Sequence, residues 1–190
     1  MKYFLLIIIT IYSSKVSAQF KRLDTSMQLG KAGYRVYCSN KSADKNAVSI
    51  KLIGFESGTG RDLDFPIDGR IKNVAIEDFN NDGFPDMVMY VYSGADASKV
   101  NIIGIASVEN KSCAPIVFPD IRDDLKLRVG YNGHDEFTII EGALFRKFPL
   151  YDPTNLTGPP TEAKRTIQYK VVRGERGSFK FVVLRSYESK

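Results

Sequence analysis

Apolar residues recur at every second position along much of this chain, and this alternation constrains the fold more than any other feature. Residues 47–53, 166–172 and 179–183 each place apolar side chains on one side and mainly polar side chains on the other. Successive side chains of a β-strand point to opposite faces of a sheet, whereas an amphipathic helix requires a spacing of three or four residues. The pattern therefore predicts an all-β fold.

Further apolar runs have the length of strands and are separated by turn-forming residues. These runs are residues 34–38, 70–78, 87–92, 101–108, 137–141 and 143–147. Between the last two, Glu141-Gly142 predicts a tight hairpin. We expect an antiparallel β-sandwich, or a partly closed barrel, of about eight or more short strands. Its longest loop is expected at residues 151–164.

The N-terminus has the organisation of a secretory signal peptide. Lys2 precedes an apolar run over residues 3–12, and Val16-Ser17-Ala18 supplies the small residues of a cleavage site. Residues 1–18 are therefore predicted to be removed, leaving residues 19–190 as a single β-sandwich domain. The net charge of +5 includes Lys2 and Lys15, so the mature chain is only mildly basic. Charge is no argument for nucleic-acid binding.

Two cysteines, Cys38 and Cys113, lie in this exported chain. Oxidising compartments favour disulfide bonds, so the sequence predicts a Cys38–Cys113 bridge. The alternative is two separate buried thiols.

The chemistry-bearing residues do not form a recognisable catalytic motif. His134 is the single histidine, and the sequence contains no Gly-x-Ser-x-Gly, no His-Glu-x-x-His and no phosphate-binding glycine-rich loop. Acidic neighbours such as Asp135-Glu136 would point to opposite faces of a strand, away from a shared cleft. We interpret His134 as a structural residue and predict that the protein is not an enzyme.

The segment from Asp78 to Asp86 resembles the opening of a calcium-binding loop. Oxygen-bearing side chains stand at its first, third, fifth and ninth positions, and Gly83 at the sixth permits a sharp turn. Met89 replaces the bidentate glutamate of an EF-hand at the twelfth position. Two interpretations stay open, a weak calcium site formed by Asp78, Asn80, Asp82 and Asp86, or a polar turn between two strands.

A run of seven small or polar residues connects two apolar strands. It consists of Ser93, Gly94, Ala95, Asp96, Ala97, Ser98 and Lys99. Small residues let a backbone enter a narrow groove, and the ammonium group of Lys99 can reach a carboxylate. The segment is therefore a candidate partner-binding loop, with a solvated hairpin loop as the alternative.

Several motifs, in their order and spacing, resemble the bacterial periplasmic inhibitors of invertebrate-type (i-type) lysozyme. They are residues 78–86 running into Tyr90-Val91-Tyr92, Lys111-Ser112, Gly130-Tyr131-Asn132-Gly133-His134-Asp135-Glu136-Phe137, Arg146-Lys147-Phe148-Pro149-Leu150-Tyr151, Ile167-Gln168-Tyr169-Lys170-Val171-Val172 and Gly174-Glu175-Arg176-Gly177. The resemblance covers about residues 45 to 187.

The resemblance implies an exported β-sandwich, periplasmic or secreted, with no catalysis and no required cofactor. Such a protein protects peptidoglycan by inserting a loop into the active-site cleft of a lysozyme, and residues 93–99 correspond to that loop. The loop departs from the family pattern because Lys99 stands where the family has a tyrosine. Two alternative functions stay open: a calcium-stabilised extracellular binding module, and a periplasmic immunity protein against another toxin.

Overall fold

A computed structural model describes residues 21–56, 60–94 and 99–190. The predicted signal peptide, residues 1–18, lies outside this range. Twelve strands are found in the described residues: β1 (Leu23–Leu29), β2 (Ala32–Cys38), β3 (Asn46–Ile53), β4 (Leu63–Ile67), β5 (Arg70–Glu77), β6 (Asp86–Ser93), β7 (Lys99–Val108), β8 (Ser112–Val117), β9 (Glu136–Ile140), β10 (Ala143–Pro149), β11 (Lys164–Arg173) and β12 (Phe179–Ser189). Two short 3₁₀ turns, Ile121–Asp123 and Glu175–Gly177, complete the regular structure of these residues.

The strands form two sheets. One has the order β1-β2-β3-β4, and the other has the order β5-β6-β7-β8-β12-β11-β10-β9. Neighbouring strands are antiparallel except for β8 and β12, which run parallel and pair over only two positions. The all-β prediction and the antiparallel sandwich are confirmed. Across the described residues, no helix has the length and apolar character needed to cross a bilayer.

Strand β6 is buried on both faces and belongs to two hydrophobic cores. Met87 and Met89 face the four-stranded sheet, whereas Val88 and Tyr90 face the interior of the eight-stranded sheet. All four side chains are at most 7% exposed. A strand covered on both sides must be apolar at successive positions. This explains why residues 87–92 lack the alternation seen elsewhere.

The eight-stranded sheet curls so that its two halves pack against each other. The ring of Phe137 on β9 lies 6.1 Å from that of Tyr90 on β6, although five strands lie between β6 and the edge strand β9 in the sheet. Phe118, which follows β8, contacts the rings of Phe137, Tyr169 and Phe181 at 5.0–5.7 Å. Rings at these distances and angles pack favourably. The molecule therefore has three layers: the four-stranded sheet and the two halves of the eight-stranded sheet. The half that contains β6 is the middle layer and contributes to both cores.

Three strands carry weak sequence signals and are absent from the predicted set. Strand β1 has an exposed outer face, and β4 and β8 contain Pro66 and Pro115. Proline cannot donate a hydrogen bond to the ladder and argues against a strand in sequence reading. By contrast, the predicted Glu141-Gly142 hairpin is confirmed: both residues have positive φ, and Ile140 pairs with Ala143.

The predicted Cys38–Cys113 disulfide is wrong for this structure, in which both thiols are free. Cys38 donates a hydrogen bond to Oδ1 of Asn40 at 3.2 Å. Cys113 packs against the core cluster that contains Tyr34, whose hydroxyl donates to the carbonyl oxygen of Pro85 at 2.7 Å. Burial raises the pKa of Cys113 to about 11, which disfavours the thiolate needed for disulfide exchange.

We expect two reactive thiols in the denatured protein without any reductant. Alkylation of the unfolded chain should add two labels per molecule, and prior reduction should leave that number unchanged. Mass spectrometry of the labelled chain provides the measurement. A chain that takes up no label until it is reduced would show that the bridge forms.

Candidate functional site

The candidate loop starts and ends on two residues that face each other across the hairpin of β6 and β7. Strand β6 ends at Ser93, strand β7 begins at Lys99, and these two residues are register partners. Ser93 is half-buried, Lys99 is exposed, and Gly94 has a φ of 85°. Ala95, Asp96, Ala97 and Ser98 lie outside the described residues. The structure thus defines the base of the loop.

A cleft of about 1030 Å³ opens beside this loop base. One wall is formed by Ser93, Lys99 and the start of β7, and the other by the segment between β8 and β9. The polar and charged side chains that line it are Ser93, Lys99, Asn101, Asp120, Arg122, Arg128, Tyr131, Asn132, His134 and Arg146. Sequence reasoning did not predict this cleft, because its walls come from segments far apart in the chain.

The floor of the cleft is held by a buried network of Arg146, Asp135 and Tyr131. Arg146 donates from Nε to Oδ1 of Asp135 at 2.6 Å, and from Nη2 to Oδ2 of Asp135 at 3.0 Å. The same Nη2 donates to the Tyr131 hydroxyl at 2.8 Å, and that hydroxyl donates to Oδ2 of Asp135 at 2.6 Å. A two-point contact between guanidinium and carboxylate is among the strongest and most directional side-chain interactions.

Aromatic rings surround the guanidinium of Arg146. Its central carbon lies 5.0–5.9 Å from four ring centroids, those of Tyr131, Phe137, Phe148 and Phe118. Burial opposes the charge, but the hydrogen bonds and charge of Asp135 outweigh it and raise the pKa of Arg146 above its ordinary value. Burial also raises the pKa of Tyr131, which keeps its hydroxyl protonated as a donor. The network therefore fixes the backbone of residues 131–135 against β10.

A second arginine anchors the outer wall of the cleft. Nη1 of Arg165 on β11 donates to the carbonyl oxygens of Lys126, Leu127 and Val129, at 3.3, 2.7 and 3.1 Å. Nη2 of Arg165 donates to Glu188 at 2.6 Å. Because these contacts tie an irregular segment to a paired strand, the wall has a fixed position beside the loop base.

His134 lies in the cleft wall, where it occupies a sharp turn and contacts one aromatic ring. The residue has a φ of 61°, and its ring stacks on Tyr151 with a centroid distance of 6.4 Å. Gly133, directly before it, has a φ of 83°. Two successive positive φ values turn the chain sharply ahead of β9, and the turn places Asp135 beneath the surface.

The candidate calcium residues lie at the opposite end of β6 from the loop base. In the turn, Oδ1 and Oδ2 of Asp78 accept hydrogen bonds from the backbone N–H groups of Asp82 and Gly83, at 3.0 and 2.8 Å. Oδ1 of Asp82 accepts from the N–H of Phe84 at 3.0 Å, and Nδ2 of Asn80 donates to Oδ2 of Asp82 at 2.9 Å. The polar side chains thus close the turn on itself.

Asp86 is the buried member of this set. Its side chain accepts hydrogen bonds from the N–H groups of Phe79 and Ser107, at 3.1 and 3.2 Å. Burial, followed by the negative charge of Asp82, raises the pKa of Asp86 to about 7. In the part of the chain that the structure describes, no group of three or more acidic, His or Cys side chains is placed to hold a metal ion. The calcium site therefore stays a prediction.

Comparison with models of protein families finds no match for this sequence, and comparison with curated proteins finds none either. The function is therefore argued from the cleft, the loop base and the sequence motifs that meet there.

We expect Asp135→Asn to lower the free energy of unfolding by about 3–5 kcal/mol, because it leaves the Arg146 guanidinium buried without a counter-charge. Chemical denaturation provides the measurement. Asp24→Asn is the matched control: Asp24 makes the same two-point contact with Arg35 at an exposed position, so its loss should be much smaller. Equal losses in the two variants would contradict the inference that the buried charge of Arg146 depends on Asp135.

The calcium prediction is tested by thermal unfolding in calcium against a chelator. An ion bound by the folded state alone raises the midpoint of unfolding, and Asp82→Asn should remove that increase. Asp64→Asn, an acidic residue on β4 outside the turn, should keep it. Identical midpoints in calcium and chelator would rule out the site.

Proposed function

We propose that this protein is an exported inhibitor of a lysozyme, with the i-type enzymes as the leading target class. The loop of residues 93–99 enters the active-site cleft of the enzyme and protects peptidoglycan from hydrolysis. On this proposal the protein acts in the periplasm or outside the cell, has no catalysis of its own and requires no cofactor. The observation that carries it is the position of the loop base, on the most deeply buried hairpin and beside a cleft.

The loop base is rigid because the strands below it are packed on both sides. Residues 87–91 of β6 are at most 7% exposed, and β6 pairs with β7 up to Ser93 and Lys99. A binding segment whose ends are already fixed loses less conformational entropy when it binds. A short loop on this base can therefore block a groove without a large interface.

The charge of the loop base suits an enzyme that works with carboxylates. Glycoside hydrolysis uses a pair of Asp or Glu side chains in the active-site cleft. Lys99 is exposed at the loop end, and the cleft beside it contains Arg122 and Arg128. Asp120 is the acidic residue among the described lining residues, and it already pairs with Arg122. The surface is therefore complementary to an acidic cleft.

The motifs behind the family resemblance meet in space, and this supports the proposal. The stretch Gly130–Phe137 contributes Tyr131 and Asp135 to the buried network, and the Arg146–Tyr151 stretch contributes Arg146. Tyr151 at the end of that stretch stacks with His134. Side chains far apart in sequence thus build one cleft wall next to the candidate loop.

The test is the lysis of peptidoglycan by i-type, chicken-type and goose-type lysozymes with the mature protein titrated in. We expect inhibition of the i-type enzyme near stoichiometry. Lys99→Ala should weaken inhibition about 10- to 100-fold, because a desolvated charge-assisted hydrogen bond contributes about 1.5–3 kcal/mol. Ser98→Ala removes a hydroxyl donor and should weaken inhibition by a smaller factor.

Lys51→Ala is the matched control, because Lys51 is an exposed strand lysine on the four-stranded sheet. It should inhibit like the unchanged protein. Strong inhibition that neither Lys99→Ala nor Ser98→Ala weakens would refute the loop mechanism. Absence of inhibition for all three enzymes would refute the function and favour a calcium-stabilised binding module or an immunity protein against another toxin.

A further inference from the structure

The outer face of strands β9–β12 is a second surface with a distinctive composition. Residues whose side chains alternate with the buried core positions of these strands lie on this face. Five of them are cations, and we call this surface the basic face: Lys147 on β10, Lys164 and Lys170 on β11, and Lys180 and Arg185 on β12.

The strand register brings these cations into one patch. Gln168 on β11 pairs with Arg185 on one side and with Phe145 on the other. Lys170 pairs with Val182, two register positions from the Val172–Lys180 pair, so both pairs lie on the same face. Paired residues of antiparallel strands lie on the same side of the sheet. The cations therefore form a two-dimensional array across three strands, instead of a single row.

The basic face has little acidic compensation. In strands β9–β12 the acidic side chain on this face is Glu136, which pairs in register with Lys147, while Glu188 turns inward to Arg165. Lys164, Lys170, Lys180 and Arg185 take part in no ion pair within the described chain. The face therefore has a net positive charge.

The outer face of the four-stranded sheet shows that this imbalance is not general. There Arg35 pairs with Asp24, and Ser49 is hydrogen-bonded to Asp64. Arg22 also contacts Asp24, at 3.8 Å, so two acidic residues accompany three cations there, Arg22, Arg35 and the exposed Lys51. The outer face of the four-stranded sheet therefore has a smaller excess of positive charge than the basic face.

Apolar and aromatic side chains lie among the cations. Tyr187, which pairs with Thr166, is 48% exposed, and Val182, which pairs with Lys170, is half-buried. Phe145 is half-buried in the same face. Tyrosine rings and aliphatic side chains flanked by Lys and Arg are typical of protein surfaces that lie at the interface of a bilayer.

We propose that the basic face docks on the surface of an anionic phospholipid bilayer. A broad array of cations around the exposed Tyr187 fits a planar layer of negative headgroups better than a single extended polyanion, which would follow one row of charges. None of the five cations lines the cleft beside Ser93 and Lys99. Docking therefore leaves that cleft and the loop base uncovered, and this inference does not depend on lysozyme inhibition.

The experiment is co-sedimentation of the mature protein with phosphatidylcholine vesicles that contain one third phosphatidylglycerol. We expect binding at low salt that is lost at high salt, because the Debye length falls from about 30 Å at about 0.01 M to about 3 Å at about 1 M. Vesicles of phosphatidylcholine alone should bind little protein. Each cation near an anionic surface contributes roughly a fivefold factor to partitioning.

The triple variant Lys170→Gln, Lys180→Gln and Arg185→Gln should reduce partitioning about 100-fold. The matched control is Lys41→Gln, Lys45→Gln and Lys51→Gln, which changes the net charge equally at exposed positions near or on the four-stranded sheet. This control variant should keep most of the vesicle binding of the unchanged protein. Circular dichroism checks that both variants keep the fold.

Equal loss in the two triple variants would overturn the proposal, since binding would then follow net charge alone. Absence of binding to the anionic vesicles at low salt would also overturn it. A parallel titration with a single-stranded oligonucleotide distinguishes a linear polyanion. Tight oligonucleotide binding that is lost in the first triple variant, without vesicle binding, would assign the face to that ligand class instead.

Discussion

The double burial of strand β6 is the constraint on which the rest of this structure depends. Its side chains alternate between two hydrophobic cores, so the four-stranded sheet and the curled half of the eight-stranded sheet pack on the same backbone. This burial also fixes both ends of the strand. Asp86 accepts two backbone hydrogen bonds at one end, and Ser93 pairs with Lys99 at the other. A loop that starts there has a rigid support.

The buried charges have a different role, because they position irregular segments that have no sheet ladder. The side chains of Arg146 and Asp135 are 4% and 0% exposed. The Tyr131 hydroxyl accepts a hydrogen bond from Arg146 and donates one to Asp135. Arg165 holds three carbonyl oxygens of the segment that precedes Gly130. Replacing both members of a buried ion pair such as Arg146–Asp135 with apolar residues often changes the free energy of unfolding little, whereas removing one member lowers it strongly. We therefore relate these arginines to the shape of the cleft wall more than to stability.

The two proposed surfaces differ in shape and in the kind of partner that would bind to them. The cleft beside the loop base is concave and is lined by exposed cations, which suits an acidic surface that fits against it. The basic face is an open sheet surface, where charges remain hydrated and act mainly through long-range attraction that salt screens. A protein with both surfaces can contact a soluble enzyme while it rests on a membrane.

The order of side chains determined the local structure. Alternation identified most strands, and Glu141-Gly142 identified a hairpin, because the pleat and the turn depend on neighbouring residues alone. Strands β4 and β8 were not predicted because they contain Pro66 and Pro115, although each pairs with the strand that precedes it in the chain. Only the tertiary structure decided that Cys38 and Cys113 are not bonded, that Asp135 meets Arg146, and that Ser93 borders a cleft. These facts depend on how separate segments pack, and no local pattern of residues specifies that packing.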